Sequence, residues 1–168
     1  MVYLKNFRLR RIDDDFDAKV IDDVTSHGFH IIGISENGDF DSAEYGFTVG
    51  CYYSFGIPEA VLHGMRHQPM KNLLWSYVSW ARNHLPIQGP MITDDLANLP
   101  IMLRTVHPTW HGPLLGYANW FYKDLGSVYP CVQVAWPDKE GIFDTELGFD
   151  EKLRSIQPNM SLPHTGAA

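Results

Sequence analysis

A chain of 168 residues with 45% hydrophobic and 13% aromatic content can build one folded domain with a real core, and is too short for two comfortable ones. Thirteen basic and twenty acidic residues give a formal net charge of −7, which argues against a general binder of nucleic acid or anionic membrane, since either needs a basic face. No stretch approaches the roughly 18 consecutive apolar residues of a membrane span.

The segment Val2–Arg11 mixes Tyr3, Phe7 and Leu9 with Lys5, Arg8, Arg10 and Arg11, and reads as an edge strand or a surface arm. Asp13, Asp14 and Asp15 then open a short helix, where carboxylates suit the positive end of the dipole. Phe16, Val20, Ile21 and Val24 recur at helical spacing and Gly28 stops it. Residues 1–25 are thus expected to form an arm and acidic helix ahead of a single domain, 26–156. Phe29–Ser35 and Gly46–Tyr53 read as strands around turn chemistry at Glu36–Asp39, and Glu59–His63 as a short strand. Met70–Leu85 is the clearest helix: Met70, Leu73, Leu74, Tyr77, Val78, Ala81 and Leu85 share one face, with Trp75 well off it. A loop over Leu85–Asn98, a strand over Ile101–Val106, a second helix from Pro113 to Lys123 and a last strand over Cys131–Trp136 follow. From Gln157 onward there is no periodicity, and a mobile tail, 157–168, is expected. The order predicts one α+β domain: a largely antiparallel sheet with two main helices packed on it.

The first residues, Met1-Val2-Tyr3-Leu4-Lys5, lack an apolar signal core. The expectation is a cytoplasmic protein in which Cys51 and Cys131, each inside an apparent strand, are buried, reduced thiols.

Chemistry-bearing motifs are sparse. Three histidine pairs, His27/His30, His63/His67 and His107/His111, have short spacings. Their contexts, a glycine inside one and Pro108 after His107, do not make a zinc-binding helix, so turn-lining or buried histidines are expected and no metal. Gly46-Phe47-Thr48-Val49-Gly50 lacks the Lys-Ser/Thr of a phosphate loop, and Ser54 lacks the flanks of a nucleophile elbow. The acid candidates are Glu59 and Asp138, each after a proline at a strand end. Asp138 is most simply a turn residue, and Glu59 a partner for Arg66 or Arg104; a catalytic pairing of Glu59 with His107 is the sharper alternative.

Four segments together carry a resemblance: Tyr45–Gly50; Phe55–Val61; Val106-His107-Pro108 with Leu115–Tyr122; and Val132-Gln133-Val134-Ala135-Trp136-Pro137-Asp138 with Gly141-Ile142-Phe143. In this order they resemble the bacterial domain-of-unknown-function family 4262 over about residues 26–145. The chain departs from the family pattern at Ile57, where histidine is usual, at Cys51, where leucine is usual, and at Asp144-Thr145, which replace Pro-Trp. The resemblance implies a compact bacterial cytoplasmic α+β domain and no particular reaction. The loss of the histidine at 57 weakens an enzymatic reading.

The expected function is a non-enzymatic protein-binding protein, of the immunity or neutraliser kind, without cofactor. Its acidic balance would suit a basic partner, and Trp75, Trp110 and Trp120 would serve as anchors. The alternative is a small-molecule-binding protein or enzyme with a cleft near Glu59, His107 and Asp138, lined also by Trp136.

Overall fold

The structure, a computed structural model, describes residues 13–35, 44–87, 89–123 and 129–166. The segment Val2–Arg11 and the turn at Glu36–Asp39 lie outside these residues. Helix α1, Asp15–His27, starts and stops where its termini are satisfied. The Asp14 carboxylate accepts the Asp17 N–H, and Gly28, at φ 93°, returns its N–H to Val24 O. Val20 and Val24 are buried, so α1 belongs to the domain rather than to a separate arm, although Phe16 stays 40% exposed. Each buried valine contributes on the order of 1.5–3 kcal/mol by leaving water.

Strands β1 (His30–Ile34), β2 (Tyr45–Val49), β3 (Glu59–His63), β4 (Met91–Thr93), β5 (Ile101–Thr105) and β6 (Cys131–Ala135) form one six-stranded sheet. Its order is β1-β2-β3-β6-β5-β4. Every neighbouring pair is antiparallel except β3 with β6, which runs parallel. The single α+β domain expected from the sequence is therefore the fold that forms. Both faces of the central strands are covered, which is why Glu59–His63 and Cys131–Ala135 are buried at every position. On one face, Ala60, Leu62, Val132 and Val134 pack under helix α3, His67–Ala81. On the other, Val61, Phe47 and Cys131 pack with Val20 and Val24 of α1 and with Ala118 and Phe121.

Five expectations need correction. The segment Leu85–Asn98 is not loop throughout, because it contains β4, paired antiparallel with β5. The run Gly46–Tyr53 is not one strand: β2 ends at Val49, Gly50 takes φ 99°, and helix α2, Cys51–Phe55, follows. Cys51 thus opens a helix, while Cys131 lies in β6; both are buried free thiols, and burial pushes both thiol pKa values well up. Helix α3 begins at His67 because Pro69 falls in the first turn, where its missing N–H would have no intrahelical partner. The predicted helix over Pro113–Lys123 is broken into α4, His111–Leu114, and α5, Gly116–Phe121, with Leu115 outside helical geometry between them. Finally, the segment from Gln157 is fastened rather than loose: Gln157 and Met160 are buried, Met160 N–H donates to Gln133 Oε1 at 3.0 Å, and His107 N–H donates to Met160 O at 2.7 Å.

His63, at the end of β3, is 8% exposed, stacks on Tyr45 at 4.8 Å, and among the described residues its Nδ1 has no hydrogen-bond partner. Burial lowers its pKa from 6.5 to about 4. Below pH 6.5 the unfolded imidazole takes up a proton that the folded one refuses until about pH 4. The stabilisation is therefore complete above pH 6.5 and is lost as pH falls towards 4. Burial raises the Glu59 pKa, an effect of opposite sign, so a comparison with His63→Phe isolates the histidine. Urea denaturation at pH 7 and pH 5 is expected to show the wild type losing about 2 kcal/mol more than His63→Phe between the two. Equal losses would mean that the imidazole is not held neutral.

Candidate functional site

The edge strand β1 lies in a groove of about 510 Å³ with α1 on one side and α3 on the other. Two helical stripes form its walls. On α1, Phe16, Lys19, Asp23 and His27 follow one another at steps of three or four residues; on α3, His67, Lys71 and Trp75 are spaced by four. The floor is Phe29 to Gly33. Gly33 lets α3 close over the strand: a β-carbon there would lie 3.1 Å from His67 Nδ1.

The polar centre of the groove is a relay. Lys19 Nζ lies 3.2 Å from Asp23 Oδ2, and the same oxygen lies 2.6 Å from His30 Nδ1. A carboxylate only accepts, so Nδ1 carries the proton and Nε2 is left as an acceptor. Burial lowers the His30 pKa and outweighs the raising effect of Asp23. For Asp23, burial would raise the carboxyl, but the His30 and Lys19 hydrogen bonds and charges win and hold it below its usual range. The pair is neutral imidazole with ionised carboxylate at pH 7. Rings frame it: Trp75, 44% exposed, meets Phe29 edge-on at 4.5 Å, and Phe16 meets His30 at 5.9 Å. Among the described lining residues there is no hydroxyl or thiol for the imidazole to activate.

The residues singled out in the sequence do not converge. Glu59 is 1% exposed, closed in the core. Its carboxylate accepts from Thr48 Oγ1 at 2.6 Å, Gly50 N–H at 3.0 Å, Tyr52 N–H at 3.1 Å and the Tyr122 hydroxyl. It pairs with neither Arg66 nor Arg104; Arg104 instead makes a bidentate pair with Asp144. Asp138 is the turn residue expected, accepting from Glu140 and Ile142 N–H, and it also ties down the Asp150 N–H. His107 bonds Thr109 and lines a separate cavity of about 470 Å³ with Arg104, Thr145 and Ser161. Trp136 donates to His63 O. These contacts join none of Glu59, His107 and Asp138 to another.

Of the three tryptophans, only Trp75 lines the groove. Trp110 donates to Leu162 O at 2.7 Å and packs on His164, and Trp120 leans on Tyr117 in the opposite layer. Among the histidines, His27, His30 and His67 reach the groove, but among the described residues no three His, Cys, Asp or Glu side chains converge as metal ligands.

Fold and site together define a small α+β domain with a ring-walled, imidazole-bearing groove at the edge of its sheet. The chain belongs to the family described as domain of unknown function DUF4262, whose profile matches residues 23–150. No curated protein and no solved structure matches it. The match begins within α1, so it includes part of one wall of the groove. No described helix is long and apolar enough to cross a membrane.

Proposed function

We propose that this chain is a non-enzymatic protein-binding protein that seats a segment of its partner in the groove between α1, β1 and α3. On this reading it acts in the bacterial cytoplasm by occupying its partner, as an immunity or neutralising protein does. The observation that carries the proposal is Trp75, a large ring left 44% exposed on the rim of a groove that contains its own polar centre. Tryptophan is enriched among the anchor residues of protein interfaces, and an exposed one beside a concave apolar surface has that form. Among the described lining residues no hydroxyl or thiol stands beside the His30–Asp23 pair. A small-molecule cleft shared by Glu59, His107 and Asp138 draws less support, because the first is buried and the last is engaged in its own turn.

The test is selection of random twelve-residue peptides on the immobilised full chain, followed by affinity measurements. Trp75→Ala is expected to weaken the selected peptides by about tenfold or more, the range of an interface anchor. Trp120→Ala, in the opposite layer, should leave them within about twofold, a change worth roughly 0.4 kcal/mol. Peptides insensitive to Trp75, or a selection that yields none, would remove the support for this reading.

A further inference from the structure

We infer that the occupant of the groove is an extended segment of another protein that adds to the sheet as a further strand beside β1 and presents an acidic side chain to Lys71; this rests on the groove being the partner site. Phe29 and the first four consecutive residues of β1, His30 to Gly33, line the groove. Successive side chains of a strand point to opposite faces, so a cavity lying over one face would touch alternate residues only. Contact with four consecutive strand residues, and with helices from both sides of the sheet, places the groove along the strand's outer edge. There, every second residue turns its N–H and C=O away from β2. Among the described residues nothing pairs with that edge.

The two ends of the sheet differ in how they meet this hazard. The far edge, β4, is three residues long and follows Pro90, and short strands beside proline discourage further pairing. β1 is five residues, His-Ile-Ile-Gly-Ile, with no proline and no permanently charged side chain. An edge of that kind, walled by two helices, has the form of the strand-addition sites by which many domains bind extended peptides.

Charge selects among occupants. The lining carries Lys19 and Lys71 against Asp23 alone, in a chain of net charge −7. Lys71 makes no ion pair among the described residues, so it is available to a carboxylate. A second copy pairing β1 with β1 would set these lysines against their own equivalents. The chain's first residues, with Lys5, Arg8, Arg10 and Arg11, carry the same sign as the lysines. An acidic segment from a different protein is the complement.

The probe is a synthetic Trp75-dependent peptide from the selection above. Two versions are N-methylated at alternate backbone nitrogens, one for each register, and a third has each Asp and Glu changed to Asn and Gln. One N-methylated version is expected to lose at least tenfold in affinity and the other less than threefold, because only one set of N–H groups faces β1. The amide version should lose about tenfold against wild type and nothing further against Lys71→Ala. Amide exchange of residues 29–34, followed by NMR, should be fast for the outward N–H groups of the free chain and slow in the complex. Two N-methylated versions that bind alike would overturn strand addition while leaving the groove as the partner site. Outward amides already protected in the free monomer, or protected by concentration-dependent dimerisation, would overturn the proposed occupant. Loss of Trp75 dependence would instead strike the function itself.

Discussion

Asp144→Ala is expected to lower folding stability by about 3–5 kcal/mol, the usual consequence of stripping a buried ion pair of one partner. Arg104 and Asp144 are held nearly sealed from solvent, with side chains 3% exposed, in a two-pronged contact of 2.7 and 2.9 Å. Arg104 Nε donates to Gln133 Oε1 at 2.9 Å, and Nη1 also reaches Met102 Sδ at 3.9 Å. Gln133 in turn binds the C-terminal segment, accepting from Met160 N–H and donating to Pro158 O at 2.7 Å. Removing the carboxylate therefore leaves a guanidinium charge with no counter-ion in a low-dielectric site, at the head of a chain that fastens residues 157–160. Replacing both partners with apolar residues, Arg104→Met with Asp144→Leu, is expected to recover most of the loss, to within about 1–2 kcal/mol of wild type, because neither charge then has to be buried. Urea denaturation of the two single variants and the pair gives the comparison. A double variant as unstable as Asp144→Ala would place the cost in packing rather than in the orphaned charge.

That ion pair shows where sequence reading stops. Asp144 was visible as a departure from the family pattern, but Arg104 lies 40 positions away, and nothing local joins them. The elements that were legible are those whose causes lie inside them. α1 carries its own cap at Asp14 and its own stop at Gly28, and the apolar face of α3 repeats at helical period. Cys131–Ala135 alternates β-branched residues before a proline. The elements misread are those settled from a distance. Cys51-Tyr52-Tyr53 has strand composition, yet the Glu59 carboxylate takes the N–H groups that open a helix there. The tail from Gln157 has no pattern of its own because Gln133, Trp136 and His107 supply its hydrogen bonds. The groove was half legible. Trp75 stood off the core face of its helix, and His27 and His30 were read only as turn-lining or buried histidines. Only the packing of α1 and α3 against opposite faces of the outermost strand brings them together.

Glu59→Leu is expected to cost at least about 4 kcal/mol, a large part of the 5–15 kcal/mol that a domain of this size has in total. The carboxylate accepts four hydrogen bonds, two from the backbone at the start of α2, a helix with no side-chain cap of its own. Two of its donors are themselves acceptors: Thr48 Oγ1 takes the Ala60 N–H at 2.9 Å and the Tyr122 hydroxyl takes the Tyr53 N–H at 3.1 Å. Leucine fills the space but leaves these donors buried and unpaired, and each such group costs about 1–3 kcal/mol, with the sum less than additive. Glu59→Gln keeps one carbonyl oxygen and turns an NH₂ towards a donor, so it should fall between, at about 1–3 kcal/mol. In both variants, amide exchange at Gly50 and Tyr52 should accelerate more than at β5, because α2 loses its remote cap first. The order wild type, Gln, Leu in denaturation midpoint distinguishes the two roles this residue can have. A general acid or base would tolerate Gln with its fold intact, because catalysis needs the proton and not the four acceptor contacts. A carboxylate that holds β2, α2 and β3 in register loses stability in step with the hydrogen bonds removed. Full stability in Glu59→Gln would therefore return Glu59 to the list of chemical candidates, and the graded loss would fix it as the clamp of the core.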